Sequence, residues 1–234
     1  MRAVVLAGGR GVRLRPLTYT IPKPLLPVGE RPILEEIIVR LKRAGVADIT
    51  VAVGYRAELI ETYFRDGAQL GVRIAYVREA QPLGTAGPLA LVRDELPPGD
   101  GAPLLVMNGD ILTDLDPNDL AAYHARGGYA LTVVTRQFPL THPYGVITVE
   151  GDRITAIVEK PTVTDTVSAG VYVVERRVLA HIPAGQYFDM PDLVNRLIAA
   201  GEPVGAYPFE GEWIAIDRIE QLEDAARTLA QRQD

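Results

Sequence analysis

Gly8, Gly9 and Gly11, interleaved with Arg10 and Arg13 and followed by Arg15 and Lys23, are the residue types that hold a triphosphate. Glycines let backbone N–H groups come close to phosphate oxygens, and the guanidinium and ammonium groups supply charge. The loop breaks out of the apolar run Ala3-Val4-Val5-Leu6-Ala7 and runs into Pro22-Lys23-Pro24-Leu25-Leu26-Pro27-Val28. A tight strand-to-loop turn would explain the glycines, but not four cationic side chains crowded into one loop. A P-loop would need Gly-Lys-Ser/Thr at its end, which is missing. A dinucleotide loop opens directly into a helix, whereas Pro22, Pro24 and Pro27 forbid a helix here.

A second candidate for chemistry is Asp110, in Val106-Met107-Asn108-Gly109-Asp110-Ile111. A carboxylate beside a glycine, straight after an apolar strand, suits a hard divalent cation, which needs one or two carboxylates and keeps several waters. The bland alternative is a turn aspartate capping the next segment, for which Asp114 and Asp116 are better placed.

The elements that must position these residues alternate. Val4–Ala7, Ile49–Val53, Val72–Tyr76 and Leu104–Met107 read as strands. Between them, Pro32 to Ala44 reads as a helix closed by Gly45, with Ile33, Ile37, Ile38 and Leu41 on one face. Ala57–Phe64 and Thr85–Leu96 read as two more helices, the latter stopped by Pro97-Pro98. This rhythm predicts an α/β fold, a Rossmann-like, mostly parallel mixed sheet flanked by helices. Ligands bind at the carboxyl ends of such strands, where the Gly8 loop and Asp110 both fall.

The second half changes character. Tyr129–Thr135, Gly145–Val149, Ile154–Glu159 and Val171–Val174 read as strands, the first two joined by a long loop with Pro139 and Pro143. Glu150-Gly151-Asp152 reads as a hairpin turn, and Met190–Ala200 and Ile219–Gln231 as helices. The expected organisation is one domain over residues 1–234, whose two halves, 1–127 and 128–234, share the sheet.

Composition narrows the function. The 234 residues with 47% hydrophobic content suffice for a full core. The absence of cysteine excludes disulfides, thiolate metal sites and a cysteine nucleophile. His124, His142 and His181 are scattered, with no helical metal-ligand spacing, which argues against zinc. A net charge of −6 argues against a nucleic-acid surface. No apolar run approaches the roughly 20 residues of a membrane span, and Ala3–Ala7 is too short for a signal peptide, so the chain reads as cytoplasmic. No coiled coil or apolar stripe marks an interface; a homo-oligomer is compatible with the sequence but not encoded by any pattern in it.

The opening resembles the signature of the sugar-1-phosphate nucleotidyltransferases (NDP-sugar pyrophosphorylases), G-G-x-G-x-R-L-x-P-L-T followed by P-K-P-L-L-P-V. Gly8, Gly9, Gly11, Arg13, Leu14, Pro16, Leu17, Thr18 and all of Pro22 to Val28 match it. The resemblance implies that NTP and sugar 1-phosphate are the substrates, giving NDP-sugar and pyrophosphate by in-line attack on the α-phosphorus. Mg²⁺ is the implied cofactor, and neither nucleic acid nor membrane is a partner. Arg13 and Lys23 would be catalytic. Leu6, Ala7, Gly8, Gly9 and Gly11 would bind the nucleotide. So would Gln81, Gly84 and Thr85, from Gln81-Pro82-Leu83-Gly84-Thr85-Ala86-Gly87, which resembles the base-pocket motif P-L-G-T-A-G. Pro82 to Leu91 is especially like the mannose-1-phosphate guanylyltransferases, favouring GTP. Uridylyl-, thymidylyl- and cytidylyltransferases remain alternatives.

The same resemblance places the sugar phosphate at Gly145 (Tyr144-Gly145-Val146), at Glu159 and Lys160 (Glu159-Lys160-Pro161), and at Ser168 and Gly170 (Ser168-Ala169-Gly170-Val171-Tyr172). Serine at 168 departs from the usual asparagine. Asp110, in the N-G-D motif, would hold the metal. The second ligand is expected in W-x-D-[IV]-G-x-x-E, but Ala215 stands at that aspartate's place in Trp213-Ile214-Ala215-Ile216-Asp217. The cytidylyltransferase-like W-x-x-x-D fits Asp217, and strand alternation would put 215 and 217 on one face. The competing reading makes Asp217 the N-cap of the final helix. A nucleotide-sugar-binding regulator that lost its chemistry is the rival class; the departures at 168 and 215 support it and the retained Arg13, Lys23, Asp110 and Lys160 oppose it. Many members carry a β-helix or acyltransferase domain beyond the catalytic one, and none is expected within this sequence.

Overall fold

The computed structural model describes residues 1–97 and 101–230. Pro98 and Gln231, which the sequence reading had used to end two helices, lie outside that range. The first half runs β1 (Arg2–Ala7), β2 (Pro27–Val28), β3 (Arg31–Pro32), α1 (Ile33–Arg43), β4 (Asp48–Val53), α2 (Ala57–Phe64), β5 (Arg73–Arg78) and α3 (Pro88–Glu95). It continues through β6 (Leu104–Asn108), β7 (Ile111–Thr113) and α4 (Pro117–Gly127). The second half comprises β8 (Leu131–Thr141), β9 (Val146–Glu150), β10 (Arg153–Val158), β11 (Thr162–Val174), α5 (Met190–Ala199), β12 (Val204–Pro208), β13 (Trp213–Ala215) and α6 (Ile219–Ala230).

Seven strands form one sheet in the order β12-β8-β11-β6-β1-β4-β5. The pairs β1/β4, β1/β6, β4/β5 and β12/β8 are parallel; β11 is antiparallel to both β6 and β8. The mixed, mostly parallel sheet is thus the expected one. Side chains alternate across it, so Val5, Val51, Leu105 and Val173 enter one apolar layer with α1, and Val4, Ala52, Val106 and Val174 enter the other with α3 and α5.

Several local readings are corrected. Residues 136–141 are not a loop: β8 continues to Thr141, pairing Pro139 with Thr164 of β11. Parallel β12 ends at Pro208 opposite Thr135, so beyond it β8 is an edge, where a proline is tolerated. The strand expected at Val171–Val174 is Thr162–Val174, with an irregularity between Ser168 and Tyr172 where Gly170 takes φ 72°. The helix expected from Thr85 starts at Pro88, because Thr85 is tied to Asp189 instead. The prolines around Lys23 still admit one 3₁₀ turn, Lys23–Leu25. Helix α4 was missed although its signals are present: Asp116 caps Asn118 N–H at 2.8 Å, Pro117 sits at the first position, and Gly128 closes it at φ 61°.

Candidate active site

The phosphate-type loop leaves β1 at the carboxyl edge of the sheet's centre, between β4 and β6. Its carbonyls anchor it: Gly8 O accepts Tyr55 N–H (3.1 Å), and Gly11 O accepts Leu14 N–H (2.9 Å) and the Thr18 hydroxyl (2.7 Å). The N–H groups of Gly9, Arg10 and Gly11 have no acceptor among the described residues. A loop held by its acceptors with its donors free is built to receive an anion.

Lys23 is fixed by the 3₁₀ turn that follows it, where Leu26 N–H donates to Lys23 O (3.0 Å) and Leu26 is buried. Its ammonium donates to Asp110 Oδ2 at 2.5 Å and Asp217 Oδ1 at 3.1 Å. Arg13 donates to Asp217 Oδ2 at 2.8 Å. The two aspartates are aligned by backbone. Gly109 N–H donates to Leu6 O (2.8 Å), and a Cβ at Gly109 would stand only 2.7 Å from that oxygen. Asp110 O in turn accepts Ile216 N–H at 2.9 Å, extending the β7–β13 pair, in which Ala215 lies opposite Ile111. Asp217 does not cap α6 with its side chain. Gln221 Oε1 takes the N–H groups of Asp217 (2.8 Å) and Arg218 (2.9 Å), which frees the carboxylate for the cations.

Leu6, Ala7, Gly9, Gly11, Arg13, Lys23, Asp110 and Asp217 line one cavity of about 200 Å³. One ammonium bridging two carboxylates beside a polar cavity matches the donor set that Mg²⁺ takes from protein, one or two carboxylates with phosphates and waters completing the shell. Among the described residues no group of three or more acidic, histidine or cysteine side chains gathers.

Gly8 faces a second cavity of about 170 Å³, lined also by Arg10, Gly54, Tyr55, Glu79, Gln81 and Pro82. Gln81 donates to Gly185 O at 3.1 Å. Thr85 turns toward α5: its N–H donates to Asp189 Oδ1 (2.8 Å), and its Oγ1 accepts Met190 N–H (2.8 Å) at the start of that helix. A Cβ on Gly84 would meet Phe188 O and Asp189 Oδ1 at 2.7 Å, so this glycine permits close packing of the two helix starts.

The residues assigned to the sugar phosphate divide into two groups. Gly145 and Glu159 face each other across the β9–β10 hairpin, where a Gly145 Cβ would be 3.0 Å from Glu159 Oε2. Lys160 follows in a left-handed conformation, φ 44°, unusual for a side-chain-bearing residue. Gly145 apart, these residues are exposed, and none lines either cavity. Ser168 and Gly170 belong to the sheet. Ser168 Oγ lies 3.0 Å from the Tyr172 hydroxyl, and Gly170 backs onto Asn108, two residues before Asp110.

Three contributors escaped the sequence reading. Gln221 sets the Asp217 backbone, Trp213 donates to Ala169 O (2.7 Å) beneath an Arg136 guanidinium 4.9 Å from its ring, and Glu79 lines the second cavity. A glutamine four residues after an aspartate at a helix start was a readable signal; Glu79 had none.

A loop with free N–H groups, a lysine and two aspartates thus meet at the carboxyl edge of a mixed α/β sheet. The chain belongs to the nucleotidyl transferase family, whose model matches residues 2–232. It is 36% identical to a UTP–glucose-1-phosphate uridylyltransferase of Synechocystis sp., with 100% of this chain and 64% of that protein covered. It is 41% identical to a mannose-1-phosphate guanylyltransferase catalytic subunit beta of Danio rerio, over 78% of this chain and 52% of that one. The chain thus spans less than two thirds of the length of these curated relatives. The fold is shared with a solved Bacillus anthracis structure (TM-score 0.78, 23% identity, 97% and 94% covered) and with HddC from Yersinia pseudotuberculosis (0.76, 22%, 97% and 99%). No helix among the described residues is long and apolar enough to cross a membrane.

Proposed function

We propose that this chain is a sugar-1-phosphate nucleotidyltransferase, condensing an NTP with a hexose 1-phosphate to NDP-sugar and pyrophosphate. The observation that carries the reading is the shared hold of Lys23 on Asp110 and Asp217 beside the free N–H groups of the Gly8–Gly11 loop. Little covalent work falls to the protein; positioning and charge neutralisation dominate such phosphoryl chemistry. The loop N–H groups and Arg13 receive the β- and γ-phosphates and stabilise the leaving pyrophosphate. Lys23 turns from the aspartates to the α-phosphate and the incoming sugar phosphate. Asp110 and Asp217 would then hold Mg²⁺, which neutralises phosphate charge when bound.

Glu159 and Lys160 serve sugar hydroxyls and phosphate from the hairpin, and Gly145, Ser168 and Gly170 shape the floor. Gln81, Gly84 and Thr85 frame the base side. The unit is a single catalytic domain, residues 1–127 for the nucleotide and 128–234 for the sugar. Its partners are small substrates rather than nucleic acid or membrane, in the cytoplasm. The relatives leave GTP with mannose 1-phosphate, and UTP with glucose 1-phosphate, as the leading pairs. The test is a pyrophosphate-release assay with Mg²⁺, crossing four NTPs with several sugar 1-phosphates. Pyrophosphate formed only when both substrates are present supports the reading, and none with any pair overturns it.

A further inference from the structure

Arg56 joins β4 to α2 in a left-handed backbone conformation, φ 54° and ψ 40°. A glycine adopts that conformation freely, whereas a residue with a side chain is strained there and stays only when its surroundings hold it. What holds Arg56 is the opening loop. Its Nη2 donates to Tyr19 O at 2.7 Å, and its Nε donates to the Tyr55 hydroxyl at 3.0 Å. That hydroxyl shares its proton between Thr18 O and Tyr19 O, each 3.2 Å away. Among the described residues no carboxylate pairs with Arg56, so its charge is spent on this chain of donors, which it polarises. The Arg15 guanidinium lies 5.0 Å from the centre of the Tyr19 ring and holds the same residue by its side chain.

Thr18 and Tyr19 form the far end of the phosphate-type loop. The Thr18 hydroxyl donates to Gly11 O, and a Cβ at Gly11 would lie 2.9 Å from the Thr18 methyl and 3.1 Å from Lys23 Cβ. Arg56 thus reaches Gly11 and the Lys23 turn through two residues, although it lines neither cavity of the site. We propose that Arg56 is a positioning residue for the triphosphate: by gripping the Thr18 and Tyr19 carbonyls it sets the aim of the Gly9–Gly11 N–H groups and the reach of Arg13. This rests on the nucleotidyl-transfer reading above. An anion site made of backbone N–H groups works only while those groups keep a common aim, because each bond weakens steeply with distance and angle. Asp110, Asp217 and the residues assigned to the sugar phosphate all lie on the chain beyond β6, with which Arg56 makes no hydrogen bond among the described residues. Its loss therefore falls on the nucleotide and not on the sugar phosphate.

The test compares KM for NTP, KM for sugar 1-phosphate and melting temperature in the native chain, Arg56→Gly and Arg56→Lys. Arg56→Gly removes the strain together with the donors. Its KM for NTP should rise by about tenfold to about a hundredfold, while the KM for sugar 1-phosphate holds and the melting temperature does not fall. Arg56→Lys, whose ammonium can still donate to Tyr19 O, should recover much of the loss despite keeping the strain. An unchanged KM for NTP in Arg56→Gly overturns the assignment. A rise in both KM values with a lower melting temperature, the mark of a general support of the fold, does the same. If Arg56→Gly does not fold, Arg56→Met takes its place beside Arg56→Lys: a KM for NTP higher in Arg56→Met supports the grip, and equal values sink it. If the native chain turns over no NTP, the transfer reading fails. Calorimetric titration with inorganic pyrophosphate then decides Arg56 alone: weaker binding to Arg56→Gly supports the assignment, and equal binding, or none to either protein, overturns it.

Discussion

Lys23 and Asp110 lie 87 residues apart in sequence, yet the lysine ammonium sits 2.5 Å from the aspartate Oδ2, with Asp217 at 3.1 Å on its other side. The ammonium occupies the space between the two carboxylates proposed to hold Mg²⁺. On that proposal one cation replaces the other as substrate arrives, and the same side chains serve the empty and the loaded site.

Lys23→Ala should therefore separate two properties. Turnover should fall by about 2.7–4 kcal/mol in activation free energy, the cost of one preorganised charge stabiliser. Mg²⁺ or Mn²⁺ binding to the substrate-free protein should rise, because two carboxylates lose their internal counter-ion. Pyrophosphate release and metal titration calorimetry check the pair, and native turnover in the variant would remove Lys23 from the mechanism.

Asp217→Asn should raise the Mg²⁺ concentration for half-maximal rate by about tenfold or more. Unchanged Mg²⁺ dependence would place the second ligand elsewhere. Gln221→Ala should shift it in the same direction but less, since it loosens only the backbone N–H groups at 217 and 218.

Gly109→Ala should destabilise the fold by about 1–3 kcal/mol, because its Cβ would sit 2.7 Å from Leu6 O, backbone that cannot swing aside. The same shift moves Asp110, so activity should fall with stability. Chemical denaturation and the transfer assay together show whether both are lost.

Trp213→Phe removes the indole donor to Ala169 O and should cost about 1 kcal/mol of stability. Because Ala169 adjoins Ser168 and Gly170, the KM for sugar 1-phosphate should rise while that for NTP holds. Equal changes in both would assign Trp213 a general packing role.

Acid sensitivity follows from two ion pairs on the β4–β5 side. A hydrogen bond from Arg73 holds Asp48 below its ordinary value of 3.8, and one from Arg78 holds Glu61 below 4.5. A depressed folded-state value means that the stabilisation is complete above these ordinary values and is lost as pH falls beneath them. Asp48→Asn and Glu61→Gln should lower the melting temperature slightly at pH 7 and leave it unchanged in strong acid, so that the decline on acidification is flatter than in the native chain. An unaltered acid profile would show that other carboxylates govern it.

What was legible in the sequence was local. The strand before Gly8, the helix over Pro32–Ala44 and the exit after Met107 were set by apolar periodicity and by glycine and proline, which act over a few residues. The loop's cations and Asp110 were legible because their chemistry shows in residue type. Long-range partnership was not. Pro139 looked like a loop signal, and only the register with Thr164 made it strand. Thr85 looked like the start of a helix, and only Asp189, 104 residues on, turned it aside. The motif left Asp217 in competition with a helix cap; Gln221 takes the N–H groups at 217 and 218, and the Asp217 carboxylate pairs with Arg13 and Lys23 instead. Glu79 had no local pattern at all, because its carboxylate packs where Gly8, across the sheet, lacks a side chain. Sequence alone determined which groups could meet phosphate. Tertiary structure decided which of them share a cavity, because that depends on strand order and register, which neighbouring residues do not encode.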